Sequence, residues 1–182
     1  MALIGVFTMI IALIVVGIAA LSILVLIGIT VWKCIMLWKK GDKSQIKYCI
    51  IPILCMLLAC VAYFLNFGWI RFIFFLVPIF HTIAFLIINT LSSKYIEKSV
   101  KLKRYTVLSY VTYPLFYILF PDGGDTGLIY TFFGLIHNKV IVYICMTIAI
   151  AAFAVNLTVL ILQLIEGFVI NKKEKENKIG TD

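Results

Sequence analysis

Apolar residues fill this chain in blocks too long for a soluble helix and too continuous for the alternation of a half-buried strand. The first block runs from about Ala2 to Trp32 without a charged residue, and others cover about 48–67, 69–91, 105–120 and 140–169. A bilayer core of about 30 Å needs roughly 20 apolar residues wound as a helix, because no backbone N–H or C=O can be left unpaired in hydrocarbon. The pattern therefore predicts an all-α integral membrane protein, a five-helix transmembrane bundle forming a single domain over residues 1–182. The first block is longer than a bilayer is thick, so it is expected to tilt or project. Blocks two and three are joined only by Asn66-Phe67-Gly68, which predicts an antiparallel hairpin. The fourth is short and closes at Pro121, so Lys103 and Arg104 are expected to complete its inner end by reaching outward to water.

Between blocks four and five lies Phe120-Pro121-Asp122-Gly123-Gly124-Asp125-Thr126-Gly127, a turn-forming stretch, followed by an apolar run to Ile136. That run, residues 128–136, is too apolar for a free loop and too short to cross, so it is expected to be a short interfacial or re-entrant element.

Composition sharpens this picture. The chain is 64% hydrophobic and 13% charged, against about 45–50% and about 25% in soluble domains. Its net charge of +8 punctuates the apolar runs and does not form a basic stripe, so no nucleic-acid partner is expected. Short loops rich in Lys and Arg stay on the cytoplasmic side. Five cations (Lys33, Lys39, Lys40, Lys43, Lys47) follow block one, five (Lys94, Lys98, Lys101, Lys103, Arg104) follow block three, and four (Lys172, Lys173, Lys175, Lys178) follow block five. Only Arg71 and Lys139 fall on the other side. An outside N-terminus, five crossings and a cytosolic tail at 171–182 satisfy every loop at once. The N-terminus lacks a cationic n-region, so it is expected to be a retained reverse anchor. Heavy use of Ile, with Lys far exceeding Arg, points to a bacterial plasma membrane.

Candidate chemistry is sparse. The five cysteines lie within or at the ends of the blocks without a CxxC pair, so no disulfide framework is expected. His81 and His137 are the only histidines, which leaves zinc without a ligand set, and Asp122 with Asp125 is too small a shell for calcium. No metal, no cofactor and no catalytic residue is assigned.

The costly polar groups are more informative. His81 sits midway along block three, and Pro78, His81 or Thr82, Phe85 and Asn89 fall on one side of that helix. Ala149, Ala152, Asn156 and Gln163 describe a narrow face of block five suited to packing against another helix. His81 is expected to bond Asn156, Thr112 or a carbonyl freed at Pro78. Glu166 is expected to pair with Lys172, Lys173 or a basic loop. At the outer face, Arg71 should pair with Asp122 or Asp125 and lock the loop over the helix ends, beside Tyr130, Phe132, Phe133 and His137.

Three functions fit these features. The first is a non-enzymatic membrane protein that binds a protein partner in or beside the bilayer through the outer cluster, a bacterial immunity or toxin-resistance protein being one concrete form. The second is a small homo-oligomeric channel or transporter lined by His81, Asn89, Asn156 and Gln163. The third is an outer-face intramembrane enzyme with His137 or His81 as base beside Asp122 or Asp125.

Overall fold

A computed structural model describes residues 2–39, 41, 43–66, 68–123 and 129–179. The chain is mostly helical: α1 Ala2–Lys39, α2 Lys43–Leu65, α3 Trp69–Ile73, α4 Leu76–Ser92, α5 Val100–Leu119 and α6 Lys139–Ile179, with two short strands, β1 Asp122–Gly123 and β2 Ile129–Tyr130. Among the described residues, three stretches are long and apolar enough to cross a membrane: Ala20–Lys39 in α1, Gln45–Leu65 in α2 and Lys139–Asn177 in α6; α4 is apolar but shorter.

The apolar run beginning at Trp69 is broken where a single helix was expected. Its break falls at Phe74 and Phe75, and the cause is Pro78. Proline has no N–H to give the carbonyl four residues earlier, and its ring crowds that carbonyl. The carbonyl concerned belongs to Phe74, which accepts instead from Val77 N at 3.0 Å in a tighter turn. The fifth block differs in the other direction. Its helix does not stop near Val169 but continues through the charged tail to Ile179. No Gly or Pro interrupts residues 168–179, Lys and Glu are good helix formers, and Lys172 pairs with Glu176 one turn on at 3.8 Å. Lys98 also holds this extension through Glu174.

α5 is the central post. Ser99 caps its first turn by accepting from Leu102 N at 3.3 Å. Its hydroxyls turn back on its own carbonyls, Thr106 on Leu102 at 2.9 Å and Thr112 on Leu108 at 2.8 Å, so their polarity does not prevent burial. The most extensive helix pairing is α5 with α6, and α2 and α4 pack around them. The apolar centre is built on Phe85, Leu86, Tyr110, Tyr113 and Leu160, with the rings of Phe85 and Tyr113 stacked at 3.8 Å. α1 leans on α2 and α4 through its C-terminal half and turns most of its described surface outward. Its attachment is apolar through Ile23, Leu26 and Ile27, which pack on the core, and polar beyond them: Thr30 Oγ1 lies 3.1 Å from Thr90 Oγ1, and Lys33 Nζ donates to Thr90 O at 2.6 Å and Ser93 Oγ at 2.7 Å.

The stretch expected to be interfacial or re-entrant is, over its described residues, neither helical nor a free loop. β2 pairs antiparallel with β1, and Thr131 and Ile136 exchange backbone bonds of 3.0 and 3.2 Å around a turn. Phe132, Phe133 and Gly134 in that turn have φ of 52°, 59° and 75°. Exchanging bonds within the turn and with the end of α5 satisfies this backbone without a helix, which is why so short an apolar run is stable here.

All five cysteines are free. Cys49 is buried with Sγ 3.8 Å from Ser93 Oγ, whereas Cys60 is exposed.

Candidate functional site

Two polar assemblies stand out, one capping the outer helix ends and one running through the bundle. The outer assembly is organised by Asp122, which is fully buried. Its carboxylate accepts from Ile70 N at 3.1 Å, Arg71 N at 2.8 Å and Gly123 N at 2.8 Å, so it caps α3 and its own strand. Close approach requires Gly68: a Cβ there would lie 2.4 Å from Gly123 O and 2.6 Å from Asp122 Oδ1. Arg71 is also buried, and its guanidinium donates to the carbonyls of Ala62 at 3.0 Å, Tyr117 at 2.9 Å and Phe120 at 2.6 Å. The two charges meet obliquely, with Arg71 Nε 4.0 Å from Asp122 Oδ2. Arg71 thus gathers the ends of α2 and α5, sharing Ala62 O with Asn66 N and serving Tyr117 O, whose helical partner would be Pro121 with no N–H, while Asp122 supplies its counter-charge. The guanidinium also lies over the Tyr63 ring, 5.3 Å from its centre.

Asn66, treated from the sequence only as part of a link, is a second tie. It accepts from Gly134 N at 2.6 Å and donates to Ile118 O at 3.3 Å. Phe132 N donates to Ile118 O at 3.0 Å and Thr131 Oγ1 to Leu119 O at 2.6 Å. The turn at 132–135 is therefore clamped to α2 and α5. Phe133 packs on the core, while Phe132 and Leu135 point outward, 41% and 72% exposed. Tyr130 and His137 lie edge to face at 6.0 Å, with His137 exposed. Asp125 lies outside the described residues.

The inner assembly unites His81, Asn89, Asn156 and Gln163 in two cross-helix pairs. Asn156 on α6 donates from Nδ2 to Ser109 O at 3.0 Å and Thr112 Oγ1 at 2.9 Å. A carbonyl only accepts, so the amide nitrogen must face Ser109 and the amide oxygen must face His81 Nε2, 2.9 Å away. Nε2 therefore carries the proton. In a neutral imidazole Nδ1 is then an acceptor, and Tyr117 OH lies 3.1 Å from it. Both ring nitrogens are used, and the imidazole is walled by the rings of Tyr113 at 5.1 Å and Phe153 at 4.9 Å.

One turn and more toward the other end, Gln163 Nε2 donates to Asn89 Oδ1 at 3.1 Å and Thr106 Oγ1 at 2.9 Å. Asn89 Nδ2 closes on Phe85 O at 2.8 Å. Ser109 joins the two pairs, because its hydroxyl donates to Asn89 Oδ1 at 3.1 Å while its carbonyl accepts from Asn156. The result is a buried ladder that fixes α4, α5 and α6 in register. Glu166 is not paired with Lys172 or Lys173; it accepts from Ser99 Oγ at 2.8 Å and so ties α6 to the start of α5.

Several members of these assemblies carried no early signal. Tyr117 and Tyr113 were legible only as hydroxyls near Pro114, and Thr82, which meets Tyr113 OH at 2.8 Å, shared its position with His81. Lys33 counted as a loop cation, yet it is an anchor of α1. Compared with known proteins, the chain matches no protein-family model, no curated protein and no solved structure.

Proposed function

We infer that this chain is a five-crossing bacterial plasma-membrane protein, N-terminus outside and C-terminus cytoplasmic, that binds a protein partner at its outer face and performs no chemistry itself. A toxin-neutralising immunity protein is one form of such a module. The observation that carries this reading is the outer turn. Left-handed backbone at a non-glycine residue costs about 1–2 kcal/mol, and the chain adopts it at both Phe132 and Phe133. Strain of this kind persists only where the surroundings over-determine it, and it concentrates at recognition and catalytic sites. Here Asn66, Ile118 and Leu119 supply the clamp, and the outcome is a rigid turn that presents Phe132 and Leu135 outward. A preorganised aromatic turn loses little entropy on binding.

Phe132→Gly separates this role from a structural one. Glycine removes the ring and relieves the left-handed strain, so the bundle is expected to resist SDS unfolding as well as the parent does. A photo-crosslinking residue at Leu135 is expected to give one discrete protein adduct in native membranes, and Phe132→Gly to reduce it at least roughly tenfold, since aromatic anchors contribute about 1–2 kcal/mol or more. An undiminished adduct, or crosslinks to lipid alone, would contradict the assignment.

One observation favours a transporter instead. The break between α3 and α4 lies close to His81, and discontinuous helices frame substrate sites in several transporter folds. Against it, both His81 nitrogens are held by Tyr117 and Asn156, leaving no lone pair turned toward a path. The enzyme reading draws on Asp122 or Asp125 as partner to a histidine; the Asp122 carboxylate is engaged by the backbone N–H groups of Ile70, Arg71 and Gly123, and Asp125 lies outside the described residues.

A further inference from the structure

A cavity of about 260 Å³ opens between α1, α4 and α6 at the end of the bundle that carries most of the Lys and Arg residues. Lys33 and Lys94 both line it, and among the described residues neither has a carboxylate partner. Lys33 reaches only the neutral oxygens of Thr90 and Ser93. Gln163 forms the floor and is fully buried. Its amide nitrogen is used within the ladder, whereas its Oε1 has no hydrogen-bond partner among the described residues. That oxygen is closed to solvent, so it lies behind the cavity wall and not in the cavity. The remaining wall is apolar: Leu91 and Phe168, both strongly exposed, flank the mouth with Leu164, and Gly167 leaves open space where a side chain would stand.

Two cations without carboxylate partners and an exposed apolar flank describe one kind of ligand. We propose that this cavity holds the headgroup of an anionic phosphoglycerolipid, with its phosphate between Lys33 and Lys94 and an acyl chain lying along Leu91, Leu164 and Phe168. The site is separate from the outer turn, and only its assignment to the cytoplasmic leaflet rests on the orientation proposed above. A soluble phosphate ester shares the polar chemistry, but it would leave the apolar flank without a role.

Native mass spectrometry of the full chain, released from nanodiscs of equimolar phosphatidylglycerol and phosphatidylcholine, tests this directly. One phosphatidylglycerol is expected to be retained per chain. Phosphatidylcholine, whose ammonium cancels the phosphate charge, is expected to be retained roughly tenfold less. Lys94→Gln removes an exposed cation, and Gly167→Leu fills space that nothing occupies, so both variants are expected to fold and to lose the bound lipid. Equal retention of the two lipids, unchanged retention in both variants, or displacement by glycerol 3-phosphate at the same concentration as by lipid would each overturn the proposal. Crosslinking at Leu135 is expected to be unaffected by either variant, so failure here and failure of the partner-binding role are distinguishable.

Discussion

Asp122→Ala is expected to lower stability by roughly 3–5 kcal/mol, the usual result of removing one partner from a buried ionic assembly. The loss has two parts. Ile70 N, Arg71 N and Gly123 N are left without their acceptor. Arg71 is left buried with carbonyls alone around it and no counter-charge. Because α3 is only five residues long, it has little stability beyond this cap. Gly68→Ala should damage the same assembly by a different route, since its Cβ would meet backbone at Gly123 and the Asp122 carboxylate. Unfolding in SDS-titrated mixed micelles measures both, and near-parent stability for Asp122→Ala would show that α3 and the hairpin are held in some other way. Charge reversal at Asp122, which from the sequence looks like a test of partner recognition, would instead unfold the outer crown.

His81→Ala is expected to be nearly as damaging, roughly 2–4 kcal/mol, from the cavity left by the imidazole and the unpaired Asn156 oxygen. The ring lies among Tyr113, Phe153 and Tyr117, so little can move in to refill its space. Nitrogen-15 spectra of the parent provide a companion measurement, because the ladder dictates a neutral ring protonated at Nε2. A ring protonated at Nδ1 would mean that Asn156 is turned the other way, against the acceptor-only carbonyl of Ser109.

The helical character of the chain and its long apolar helices were legible because a run of apolar residues long enough to cross a bilayer has few other stable forms. The polar faces were legible for a related reason: Asn89, Asn156 and Gln163 recur at helical spacing, and water is absent to receive them. Which residue bonds which was not. His81 had three proposed acceptors, and choosing Asn156 depends on where α5 places Ser109, a tertiary fact. Pro78 announced a kink, but its position four residues earlier, at Phe74, follows only once the rule about the lost carbonyl partner is applied to a formed helix. The outer turn was least legible. Nothing local marks Phe132 and Phe133 for left-handed backbone, since their conformation is imposed by Asn66 and the end of α5, distant in sequence. The helical continuation into the charged tail follows from its Lys and Glu spacing, which favours a continued helix.

On the proposed reading, the buried polar ladder holds the bundle together and conducts nothing. Proton and ion flux in proteoliposomes of the purified chain, recorded across a range of pH, tests it most directly. The account predicts vesicles no leakier than protein-free ones at every pH. A specific, pH-dependent flux that His81→Ala abolishes in folded protein would contradict it and place His81 on a path.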